Sequence, residues 1–97
     1  MMTAPDYENL DHIIDVRRPF EYQVRHIEGA ENISYELTDF AKEVSHLDKN
    51  GHYITYCNYG GRGGHAAELM RQLGFKHVAG HGIEDVARLT GKQIVNG

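Results

Sequence analysis

The stretch His52-Tyr53-Ile54-Thr55-Tyr56-Cys57-Asn58-Tyr59-Gly60-Gly61-Arg62-Gly63-Gly64-His65 decides how this chain folds. Its first six residues, rich in β-branched and aromatic side chains, read as a buried strand. Asn58 to Gly64 then holds four glycines in seven residues. Ala66, Leu69, Met70 and Leu73 follow at helical spacing, with Gly74 as the stop. Strand, Gly-rich turn and helix in that order form the repeating unit of a parallel α/β sheet.

The same alternation extends in both directions. Upstream, His12–Val16 is a short apolar run that reads as a strand. Pro19, at a position favoured in a first helical turn, starts a helix to about His26, ended by Gly29. Ala30–Ser34 reads as a strand, and Leu37, Phe40, Ala41, Val44 and Leu47 form an amphipathic helical stripe. Downstream, Lys76–Ala79 is a short strand, and Ile83, Val86, Ala87 and Leu89 mark a last helix. The 97 residues form one α/β domain, 1–97, with a mainly parallel sheet and a loose lead-in over 1–10. In such sheets ligands bind at the carboxyl ends of the strands, where Cys57 is placed.

Composition narrows the function. Ten Lys and Arg face fourteen Asp and Glu, for a net charge of −4, which argues against nucleic acid and anionic membrane as partners. No apolar run approaches the length of a membrane span. Residues 1–10 lack the basic start and apolar stretch of a secretory signal, so the expectation is a cytoplasmic protein. One cysteine excludes an intrachain disulfide, a CxxC redox pair and a multi-thiolate zinc site. Cys57 is therefore an inert buried thiol, a nucleophile or an intermolecular partner.

Its surroundings favour the nucleophile. Glycines at 60, 61, 63 and 64 let the backbone adopt positive φ and turn its N–H groups inward as an anion-binding nest. The following helix adds the positive end of its dipole and Arg62 adds a formal charge. Together they stabilise a thiolate at Cys57 and would hold an anionic sulfur species.

At these residues the chain resembles the rhodanese-like sulfurtransferases, in their single-domain form. Ile14-Asp15-Val16-Arg17 with Pro19-Phe20-Glu21-Tyr22 is similar to the family's entry motif. His26-Ile27-Glu28-Gly29-Ala30-Glu31-Asn32-Ile33 is similar to its next segment, and Tyr56-Cys57 through Arg62 stands where the family keeps its catalytic loop. Gly74-Phe75 and the end of the chain complete the likeness, which departs from the family pattern at Arg25, Asn58, Gly63, His81 and Val86. The resemblance implies a central sheet flanked by helices on both faces. It also implies a thiosulfate sulfurtransferase working through a persulfide on Cys57. The donor would be thiosulfate or a persulfide, and the acceptor cyanide, a thiol or a sulfur-carrier protein. The backbone of Asn58, Tyr59, Gly60, Gly61, Arg62 and Gly63 would cradle the sulfur, with Arg62 holding the donor. No cofactor or metal is called for.

Several residues carry plainer expectations. Asp15 and Arg17 stand at a strand end beside the site, either lining it or, the reading favoured, supporting it, Arg17 by pairing with Glu21 and Asp15 by bracing the loop. His26 caps or braces a turn, and His65 faces solvent. His77 and His81 are four apart in a strand and loop rather than on a helix, so they are not read as a metal pair. Tyr59 either shields the sulfur or faces a partner. Two alternatives remain: a non-enzymatic sulfur carrier or docking module, and a Cys-dependent phosphatase or arsenate reductase. The latter use Cys-x5-Arg, whereas Cys57 and Arg62 are spaced Cys-x4-Arg, a tighter cradle.

Overall fold

A computed structural model describes residues 4–97. The central sheet has four strands, all parallel, in the order β3 (Glu31–Asn32), β1 (His12–Asp15), β4 (His52–Cys57), β5 (His77–Gly82). From β1 the chain first adds a strand on one side and then returns to add β4 and β5 on the other. The crevice between the carboxyl ends of β1 and β4 is thus the point where strand order reverses, and there parallel sheets build their sites. Asp15 pairs in register with Tyr56, one residue before Cys57.

Side chains alternate across the sheet with a period of two. Tyr53 and Cys57 face one side, in a core with Phe40, Val44, Ala66, Ala67, Met70, Phe75 and Val78. Ile54 and Tyr56 face the other, with Ile13, Ile27, Ala30, Ile83 and Val86. Helices α2 (Phe40–Val44) and α3 (Gly61–Gln72) cover the first face, and α4 (Ile83–Thr90) packs on the second. Helices on both faces of a mainly parallel sheet match the fold class read from the sequence.

Element boundaries depart from the sequence reading for local reasons. Helix α1 (Pro19–Val24) stops two residues early, because Arg25 turns extended and opens strand β2 (Arg25–Ile27). That strand pairs antiparallel with β6 (Ile94–Asn96) in a separate two-stranded sheet absent from the sequence expectation. Helix α2 is only the middle of the Leu37–Leu47 stripe, and Asp39 Oδ1 caps it by accepting from Lys42 N–H at 3.3 Å. Strand β5 runs on to Gly82, level with Cys57. Residues 4–10 contain no helix or strand. Even so, Tyr7 and Leu10 pack on the second core, and Tyr7 Oη lies 2.8 Å from His81 Nε2. No helix among the described residues is long and apolar enough to cross a membrane.

The junction of α3 with the sheet has the tightest packing. A Cβ on Gly63 would lie 2.8 Å from the Thr55 carbonyl oxygen, and one on Gly80 only 2.5 Å from the Gly63 backbone. Two glycines on facing elements let the helix backbone rest directly on β4 and β5. Thr55 Oγ1 fastens the contact by donating to the Gly63 carbonyl at 2.7 Å.

Candidate active site

The Gly-rich loop is shorter than its composition implies. Helix α3 begins at Gly61, so only Asn58–Gly60 bridges strand and helix. Gly60 alone among the loop glycines has positive φ, at 103°. Gly61, Gly63 and Gly64 lie in the first helical turns, where φ is negative. The expected nest is therefore one left-handed turn joined to a helix N-terminus.

Cys57 ends β4, almost fully buried, with its Sγ beneath that terminus. Gly60 N–H donates to Sγ at 3.1 Å and Gly63 N–H at 3.3 Å. Gly60 is the N-cap of α3 and Gly63 its third residue. The sulfur thus accepts from the first turn of a helix whose N-cap has no side chain to do so. The N-terminal end of the helix dipole, roughly +0.5 charge, is aimed at the same atom. Two N–H donors and a helix N-terminus thus converge on one sulfur atom.

Behind the loop stands an ion-pair network. Arg17, 2% exposed, places Nε 2.9 Å and Nη2 2.6 Å from the two Asp15 carboxylate oxygens. Its remaining donors reach the Arg25 carbonyl at 2.6 Å and Asn58 Oδ1 at 2.9 Å. Burial opposes the charge on Arg17, but the bonds to Asp15 outweigh it and raise the guanidinium above its ordinary range. The partner expected for Arg17 was Glu21; the partner found is Asp15, close enough along the chain for a bidentate clasp. Asp15 also accepts from Arg17 N–H at 2.9 Å.

Glu21 belongs instead to Arg62. Arg62 Nη1 and Nη2 lie 2.8 and 3.0 Å from the two Glu21 oxygens, and Nη1 reaches Glu36 Oε1 at 3.1 Å. Asn58 Nδ2 and Arg18 N–H also donate to Glu21, each at 3.0 Å. The Arg62 contact, above all, holds the Glu21 carboxyl down at about 2. Arg62 is raised well above the ordinary guanidinium range, first by Glu21 and then by Glu36, against the opposing effect of burial. Glu36 is the residue sequence reasoning missed; nothing in its local pattern marks it.

Of the backbones of Asn58, Tyr59, Gly60, Gly61, Arg62 and Gly63, those of Gly60 and Gly63 donate to Sγ. The Asn58 side chain is committed to Arg17 and Glu21. Tyr59 is 98% exposed, so it does not shield the sulfur. It rims a cleft of 560 Å³ lined also by Arg17, Phe20, Val24, Gly82 and Asp85. His26 stacks on Tyr22 and its Nδ1 lies 2.9 Å from the Tyr22 carbonyl, bracing the end of α1. His65 is exposed on α3. His77 stacks on His52, while His81 contacts Tyr7, so the two point to different neighbours.

A parallel sheet that delivers its lone thiol to the strand-order reversal, under a helix N-terminus, defines a small and specific class. The chain belongs to the rhodanese-like domain family, whose model matches residues 2–89. It is 37% identical over 78 residues to thiosulfate sulfurtransferase PspE of Escherichia coli (strain K12), covering 79% of this chain and 75% of that protein. It is 34% identical over 91 residues to the mitochondrial protein HIGH ARSENIC CONTENT 1 of Arabidopsis thaliana, covering 82% of this chain and 54% of that protein. Among solved structures, a rhodanese with anions from E. coli superposes with a TM-score of 0.73 at 36% identity. That match covers 89% of this chain and 98% of the other.

Proposed function

We propose that this protein is a sulfurtransferase that carries sulfane sulfur as a persulfide on Cys57. The observation that carries this reading is Sγ accepting two N–H groups at the start of α3. The Cys57 thiolate attacks the outer sulfur of a donor, thiosulfate or a persulfide. A new S–S bond forms to Sγ, the donor's own S–S bond breaks, and sulfite or a thiolate leaves with the electron pair. A second nucleophile (cyanide, a thiol or a carrier protein) then takes the terminal sulfur and restores the thiolate. This is covalent catalysis in two half-reactions, so ping-pong kinetics follow. The N–H groups from Asn58 to Gly63 stabilise the charge on the outer sulfur. No cofactor takes part. The name and activity of the E. coli relative support the thiosulfate half of this reading.

A lone thiol persists in the reduced cytoplasm, the compartment we assign. With one cysteine the loaded protein cannot resolve its persulfide internally and must hand the sulfur on. The exposed Tyr59 beside the loop favours delivery to a protein-borne acceptor. A phosphatase is disfavoured, since a tetrahedral oxyanion needs a wider ring of N–H donors than a loop closed on Sγ by Gly60 and Gly63 provides.

Intact mass after incubation with thiosulfate tests the proposal. The expected result is a covalent gain of ~32 Da, one sulfur atom, lost on adding cyanide and absent from Cys57→Ser. No gain on the unmodified chain, or the same gain on the Ser variant, refutes it.

A further inference from the structure

Glu36 and Glu21 together take up the charge that an anionic donor needs. Four guanidinium groups stand around the loop and its cleft, those of Arg17, Arg18, Arg25 and Arg62, and four carboxylates meet them, those of Asp15, Glu21, Glu36 and Glu84. Every pair lies within 3.3 Å. Arg62 presents its two terminal nitrogens to the two oxygens of Glu21, the fork that would otherwise clasp a sulfonate-like group. Glu21 cannot turn aside, because Asn58 and Arg18 N–H also hold it. Glu36, by contrast, is partly exposed and, among the described residues, is held by Arg18 and Arg62 alone.

The uncompensated positive field at Sγ is therefore that of the N–H groups and the helix end, roughly half a charge. Attack on thiosulfate brings a dianion to a thiolate, three negative charges in all. Attack on a neutral hydropersulfide, R–S–SH, involves one. Sγ bonds to the outer sulfur, the R–S bond to that sulfur breaks, and R–S⁻ departs, so charge and atoms balance with no added oxidant.

We infer that the Arg62–Glu21–Glu36 triad sets donor choice, making a hydropersulfide the preferred sulfur donor over thiosulfate, with Glu36 as the positioning residue that tunes it. This rests on the sulfurtransferase reading above.

The experiment compares the unmodified chain with Glu36→Gln and Glu36→Asp. Cys57 loading is followed by intact mass with thiosulfate and, separately, with cysteine hydropersulfide, at constant ionic strength. In the unmodified chain the hydropersulfide has the higher kcat/KM. Glu36→Gln leaves Arg62 less fully compensated, so the thiosulfate-to-hydropersulfide ratio of kcat/KM rises by about threefold to tenfold, through the KM for thiosulfate. Glu36→Asp, which keeps the charge, holds the ratio near its starting value. Faster loading by thiosulfate in the unmodified chain overturns the inference. So does a ratio that is unmoved or falls in Glu36→Gln while its thermal unfolding matches the parent. Failure of both donors to load Cys57 instead refutes the sulfurtransferase reading itself, a different outcome from loading without donor discrimination.

Discussion

Replacing Gly80 by Ala places a methyl carbon 2.5 Å from Gly63 C and O and from Gly64 N, all backbone atoms. Ordinary contact begins near 3.4 Å, so α3 must lift from β5 by most of an ångström. No flexible side chain can absorb the clash. Overpacking of this kind costs about 1–3 kcal/mol, and the upper end applies where both partners are main chain. For a domain of this size about 3 kcal/mol corresponds to a fall in Tm of roughly 12–15 °C. The same lift moves Gly63 N–H, now 3.3 Å from Sγ, out of reach of the sulfur. Stability and Cys57 loading should therefore fall together, measured by thermal unfolding and by intact mass after thiosulfate. Gly64→Ala is the control: a Cβ there meets nothing within 4 Å, and in a helix the change should stabilise by up to about 1 kcal/mol. A Gly80→Ala variant melting within about 2 °C of the parent would show that the helix does not rest on the strand backbone, and would refute the reasoning.

Gly60→Ala forces a Cβ into a φ of 103° and should cost about 1–2 kcal/mol while slowing Cys57 loading, read by urea unfolding and adduct formation. Asp15→Asn leaves Arg17 buried without its counter-charge and should cost about 3–5 kcal/mol in urea unfolding. Glu21 is held at about 2 against an ordinary 4.5, so its ion pair contributes stability above pH 4.5 that is lost as pH falls toward 2. Glu21→Gln should flatten that part of the stability–pH profile, measured by thermal unfolding across the acid range.

The strand His52–Cys57 and the thiol at its end are legible in the sequence because β-branched and aromatic residues run uninterrupted to a glycine cluster. The start of α3 was not. Gly61, Gly63 and Gly64 have poor helix propensity, and they turn helical because Gly63 and Gly80 admit a close approach that no local pattern records. Strands β2 and β6 are three residues each and pair across most of the chain, below the reach of periodicity. Cys57 could be singled out as the candidate nucleophile from its neighbours. The partners of Arg62 could not, since Glu21 and Glu36 lie 41 and 26 residues away and only the fold brings them there.

The sulfur of Cys57, the reacting atom on the proposed reading, is also the acceptor for two N–H groups at the start of α3. Chemistry at that atom therefore registers as mechanics. Alkylation replaces a compact acceptor with a bulky thioether under the first turn of α3, and the helix start must loosen to admit it. A melting curve alone can then report whether Cys57 is free or blocked. For the same reason a chain that exchanges this cysteine for alanine loses its reactivity and a structural tie in a single step, whereas serine or aspartate keeps an oxygen where the helix needs one.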